Sequence, residues 1–150
     1  MSTSATTTSA ADQRLNRPPV QQRAALAVAM LGFFVVALDA QIVNVALPVI
    51  GAAFGAGLSD LQWVVAGYTL PLSSLLLFAG TLSDRVGARR IYGVGMAIFI
   101  AASALGGLAP SSVVLIAARV AQGVGAALIT PTSLALIREA FDDARQRVKA

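Results

Sequence analysis

Four long apolar runs organise this chain, at residues 24–47, 61–79, 91–109 and 113–137. Each approaches the ~20 residues a helix needs to cross ~30 Å of hydrocarbon. No strand alternation, heptad seam or nucleotide loop competes with a helical reading. The connections are short, so neighbouring helices are expected to be antiparallel. Residues 1–23 are rich in Ser, Thr and Ala, then polar and basic, and are expected to form a disordered cytoplasmic tail. Residues 138–150 form a second polar, basic segment. The expected fold is all-α, a membrane protein with four transmembrane helices. A signal peptide cleaved near Ala40 would explain the first run but not the three that follow.

Composition agrees with a chain in lipid. Of the 150 residues, 57% are hydrophobic and only 12% charged. Ordinary soluble domains carry about 25% charged residues. There is no Cys and no His, which removes disulfides, thiol catalysis and the usual zinc sites. The net charge of +4 raises nucleic acid as a partner. Its distribution points to a lipid bilayer instead. Arg14, Arg17 and Arg23 precede the first run, Arg85, Arg89 and Arg90 lie between the second and third, and Arg138, Arg145, Arg147 and Lys149 follow the fourth. The other two connections, residues 50–60 and 109–112, have no Lys or Arg. Basic loops face the cytoplasm, so both termini are expected there, in a multi-pass protein of the cytoplasmic membrane.

Two charges fall inside the runs, Asp39 and Arg119. A charged side chain at the bilayer centre costs at least ~2.5–3.5 kcal/mol, so such residues face an interior or a watery path. Asp39 lies ~22 Å from the start of the first run and Arg119 ~10 Å from the start of the fourth, at 1.5 Å per residue. Because the runs are antiparallel, the two sit at nearly one depth and can pair. The pair either holds two helices together or takes up and releases a proton. Gln41 and Asn44 lie about 60° apart around the first helix, at 100° per residue. They either line a polar cavity or bond between helices. Tyr68 and Gln122 are further cavity candidates. Gly123 and Gly125 suit close helix packing. Pro71 and Pro131 each remove a helix donor and are expected to kink their helices. Trp63 is most simply an interfacial anchor.

The segment over residues 80–90 joins the second and third runs. Gly80 and Gly87 are expected to supply permissive backbone at the two ends of a turn. Asp84 sits among Arg85, Arg89 and Arg90. It forms a local salt bridge, caps the third helix, or switches contact with another part of the protein.

At these residues the chain resembles the major facilitator superfamily. Gly80, Leu82, Asp84, Arg85, Gly87, Arg89 and Arg90 match that family's loop signature between helices two and three. The run Leu38, Asp39, Ala40, Gln41, Ile42, Val43, Asn44, Val45, Ala46, Leu47, Pro48 is similar to the first-helix motif of the fourteen-span drug:proton antiporters of the EmrB/QacA type. Arg119, Gln122, Gly123 and Gly125 resemble their fourth-helix proton-coupling motif. Gln41 departs from the pattern, which usually has Thr there. The resemblance implies that Asp39 and Arg119 take part in proton coupling and substrate response. It also implies that Asp84 and the loop arginines govern a swing between inward- and outward-facing states.

The chain ends where that family enters its fifth helix, so it is expected to be the N-terminal part of a proton-coupled multidrug efflux transporter, not competent alone. Protons and small hydrophobic or cationic drugs are the substrates implied for the complete protein. Two alternatives remain: a metabolite carrier of the same superfamily, and a non-transporting four-helix membrane protein that binds or regulates a partner. No nucleophile–base set, metal cluster or phosphate loop points to an enzyme, and no cofactor or metal is expected.

Overall fold

The computed structural model describes the backbone of residues 19–148, and within it the side chains of residue 24 and residues 26–138. The tail expected over residues 1–23 lies outside the described residues as far as residue 18, and from Pro19 the backbone is helical.

Four helices follow one another: α1, Pro19–Phe54; α2, Leu58–Val86; α3, Ala88–Gly107; and α4, Ser112–Val148. All four contain a window long and apolar enough to cross a membrane. They outrun the apolar stretches at most ends, because backbone hydrogen bonding continues into the flanking polar residues. α4, for instance, carries on through the segment after residue 137 as far as Val148. α1, α2 and α4 also stay helical through Pro48, Pro71 and Pro131 respectively.

The breaks are short and have local causes. α1 ends at Gly55, whose φ of 59° lets the Ala56 N–H turn back to the Gly51 carbonyl at 3.0 Å. Before α4, the Ser111 hydroxyl accepts the Val114 N–H at 3.5 Å, a weak N-cap. Between α2 and α3 the break is Gly87 alone. Its N–H donates to the Ser83 carbonyl at 2.9 Å and its own carbonyl accepts the Ile91 N–H at 3.3 Å. With φ 102° and ψ 131°, Gly87 holds a conformation that a side chain would strain.

This corrects the sequence expectation for Gly80. It is not one end of a turn but an interior residue of α2, with Thr81 bonded back to the Phe78 carbonyl at 2.9 Å. The cap on α3, one of the roles open to Asp84, is also absent. The N-cap of α3 is Gly87, with no side-chain hydrogen bond, because Asp84 is still within the last turn of α2.

α4 is the central helix. Its apolar window is 44% buried, against 17–28% for the other three. It packs closely with α3 and α2, and also touches α1. Small residues permit this. A Cβ on Gly123 would collide with the backbone of Tyr68 on α2. A Cβ on Gly95 of α3 would lie 2.9 Å from the Gly125 carbonyl. The core between the helices is built from Ala29, Val36, Tyr68, Tyr92, Phe99, Ala126, Ile129 and Leu136. On the outside, large apolar side chains such as Leu31, Val45, Leu77, Ile100 and Val113 stand exposed, as lipid-facing positions do. Several helix hydroxyls are satisfied within their own turns: Thr69, Ser73, Ser74, Thr130 and Thr132 all donate back to carbonyls three or four residues earlier.

Candidate functional site

Asp39 of α1 and Arg119 of α4, placed at one depth by residue counting, are in direct contact. Arg119 Nη1 donates to Asp39 Oδ2 at 2.6 Å, and the side chains are 4% and 18% exposed respectively. Gln122 stands one turn after Arg119, on the same face of α4. Its Oε1 accepts from Arg119 Nη1 at 3.2 Å, and its Nε2 donates to Asp39 Oδ1 at 3.1 Å. The three side chains therefore close a ring of cation, carboxylate and amide. The amide must face this way round, because a carboxylate only accepts and a guanidinium only donates. Nε2 also donates to the Ser103 hydroxyl of α3 at 2.8 Å.

α2 holds the far side of Arg119. Nε donates to the Val64 carbonyl at 3.4 Å, and the guanidinium carbon lies 4.2 Å from the centroid of the Tyr68 ring. That distance suits a cation–π contact, which is stronger away from water. α1 and α2 thus meet α4 at one buried arginine, and α3 joins the site through Gln122. The Tyr68 hydroxyl is buried and has no hydrogen-bond partner among the described residues. Among the described residues Asp39 and Arg119 form the one salt bridge, and no three metal-binding side chains gather.

The other candidates separate. Asn44 lines a cleft of about 80 Å³ with Ala40, Val43, Val65, Tyr68, Thr69 and Arg119. Gln41 does not share it. It stands exposed beside Ile42, Val45, Ala46 and Val49, over a shallow apolar groove on the other side of α1. The 60° between the two amides is enough to fall on opposite sides of the line where α1 meets its neighbours. Trp63 is exposed near the start of α2. Asp84, Arg85, Arg89 and Arg90 are all exposed at the far end of the bundle, around Gly87. Asp84 has no ionic partner there among the described residues. It sits at a helix C-terminus, where the macrodipole disfavours an acid.

Ser103, the Val64 carbonyl and Thr69 were not singled out by sequence. A lone serine or threonine in an apolar helix ordinarily bonds to its own backbone, so neither carries a signal.

Residues 29–150 match the sequence pattern of the Major Facilitator Superfamily. The chain belongs to that superfamily. Its relatives within the superfamily include "Multidrug resistance protein Stp" of Mycobacterium tuberculosis, 49% identical over 120 residues, covering 80% of this chain and 22% of Stp. "Methylenomycin A resistance protein" of Streptomyces coelicolor is 45% identical over 118 residues, covering 79% of this chain and 25% of that protein. "Cephamycin export protein CmcT" of Amycolatopsis lactamdurans is 42% identical over 126 residues, covering 84% of this chain and 26% of CmcT. This facilitator chain therefore spans about a quarter of the length of the curated relatives it matches. It is a multi-pass membrane protein whose helices correspond to the N-terminal part of the superfamily fold.

Proposed function

We propose that this chain forms the first four helices of a proton-coupled multidrug exporter in the cytoplasmic membrane, with Asp39 as the group that takes up and releases the proton. The observation that carries this reading is the buried ring of Asp39, Arg119 and Gln122. A carboxylate and a guanidinium inside a membrane are costly and usually functional. Asp39 is the more exposed of the two, so a proton can reach it while Arg119 stays enclosed. Neutralising Asp39 turns an ion pair into an unbalanced cation and changes what α1 gains by staying against α4. Drug as the cargo is supported by the names of the relatives, which speak of multidrug resistance, methylenomycin A resistance and cephamycin export.

The basic residues argue for orientation. Arg85, Arg89 and Arg90 ring the α2–α3 break, and Arg138 stands on the same side of the four-helix succession. The positive-inside rule puts that side, and both termini, in the cytoplasm. Asp84, exposed and unfavourably placed against the α2 dipole, suits a contact that another part of the transporter completes in one state only.

The full-length protein carrying this chain, reconstituted in liposomes, tests the reading. An imposed pH gradient should drive extrusion of a cationic dye such as ethidium, and adding dye should in turn move protons. Dye movement that ignores the gradient rejects proton coupling, and the absence of both movements rejects an exporter.

A further inference from the structure

We propose that Tyr68 is a positioning residue that keeps Arg119 attached to α2 when Asp39 loses its charge. The proposal rests on the proton-coupled reading of Asp39. It adds an answer to which helix interface opens.

Arg119 is 3% exposed and remains a cation under all ordinary conditions. Once Asp39 is neutral, its carboxyl no longer balances that cation. Three other groups stay in reach: Gln122 Oε1 at 3.2 Å, the Val64 carbonyl at 3.4 Å and the Tyr68 ring face at 4.2 Å. Gln122 is on α4 itself, so its bond to Arg119 does not tie that helix to a neighbour. The other two belong to α2. Arg119 therefore keeps α4 on α2 while its hold on α1 weakens from an ion pair to a hydrogen bond with a neutral carboxyl. The backbones support the same division. Gly123 rests directly against the Tyr68 carbonyl, so ring and guanidinium are held at one separation by main chain on both sides. The Tyr68 hydroxyl takes no part, since it has no hydrogen-bond partner among the described residues. The ring face is the working group, so phenylalanine should replace it and leucine should not. The titratable or charged groups at this point are Asp39 from α1, Tyr68 from α2 and Arg119 from α4. From α3 comes only the uncharged Ser103.

This chain has no native Cys, so once any cysteines in the remainder of the full-length protein are replaced, paired cysteine substitutions here can carry spin labels. Val49, Leu58 and Val113 are exposed at one end of α1, α2 and α4. In the full-length protein, acidification should widen the distance between labels at Val49→Cys and Val113→Cys and leave that between Leu58→Cys and Val113→Cys unchanged. Tyr68→Phe should preserve this pattern, whereas Tyr68→Leu should widen both distances at acid pH. Tyr68→Leu should also cut pH-driven dye efflux about tenfold, equivalent to ~1.4 kcal/mol. The proposal is overturned if acidification moves both pairs alike in the unsubstituted background, or moves neither. It is equally overturned if Tyr68→Leu keeps the Leu58–Val113 distance, or if Tyr68→Phe is as impaired as Tyr68→Leu. The distances judge Tyr68 without any transport. Loss of drug-driven proton movement in the unsubstituted protein would instead count against the exporter reading.

Discussion

Arg119 and Asp39, eighty residues apart in the chain, share a hydrogen bond of 2.6 Å in which the guanidinium donates and the carboxylate accepts. Around it, neighbouring groups engage atoms that this bond leaves over. Gln122 takes the second carboxylate oxygen, the Val64 carbonyl accepts from Nε, and the Tyr68 ring lies against the guanidinium.

Asp39→Asn keeps the size of the side chain and removes its charge and its proton. In the full-length protein it should abolish pH-driven efflux while the protein still reaches the membrane. It should also lower stability, since breaking a buried pair from one side costs about 3–5 kcal/mol. Dye efflux in liposomes and thermal unfolding in detergent report the two effects separately. Undiminished efflux would reject Asp39 as the coupling group.

Gln122→Leu removes the amide from the ring and leaves both Asp39 Oδ1 and the Ser103 hydroxyl without it. Each unsatisfied group costs about 1–3 kcal/mol. Ser103→Ala should cost less, because Gln122 still has Asp39. In a double-mutant cycle the two should couple by roughly 0.5–3 kcal/mol. Simple additivity would mean that the Gln122–Ser103 bond contributes nothing.

Two glycines on α4 and α3 should respond in opposite ways to the same added methyl. Gly123→Ala pushes into the Tyr68 backbone and should destabilise the bundle by about 1–3 kcal/mol through overpacking. Gly93→Ala meets open space and should gain about 0.5–1 kcal/mol from helix propensity. Thermal unfolding of the two variants side by side checks the close α2–α4 approach.

Gly87→Ala and Gly80→Ala make a second such pair. The positive φ at Gly87 should cost an alanine about 1–3 kcal/mol. Gly80 is helical with nothing near its missing Cβ, so its alanine should be neutral or stabilising by up to ~1 kcal/mol. Equal effects at the two positions would contradict a break confined to Gly87.

Much of this architecture is readable from the chain because lipid imposes so few options. Helices are the natural spanning solution for apolar runs of this length. Asp39 and Arg119 stand out because charge inside such runs is rare, and counting residues from the ends sets their depths. Sideways position is harder to read. Gln41 and Asn44 look alike on a helical projection, and only the seam of α1 against its neighbours sends one to the cleft and the other outside. Gly80 looks like a turn residue because it precedes a polar stretch. The helix ignores that change of polarity, since its hydrogen bonds are internal. Ser103 carries no signal of its own, as its role exists only once α3 lies beside Gln122. The contact of Tyr68 with Arg119 depends likewise on the close approach that Gly123 permits.

The unbroken run of α2 from Leu58 to Val86 has a mechanical consequence. Tyr68 and Asp84 are joined by continuous helix, ~24 Å long at 1.5 Å per residue. With Arg119 tying it to α4 at the Tyr68 end, α2 belongs to one arm that moves with α4 against α1. A tilt of about 10° there carries Asp84 sideways by about 4 Å over that length. Under the proposed coupling at Asp39, a proton taken up there would become a displacement larger than a hydrogen bond at the other end of the helix.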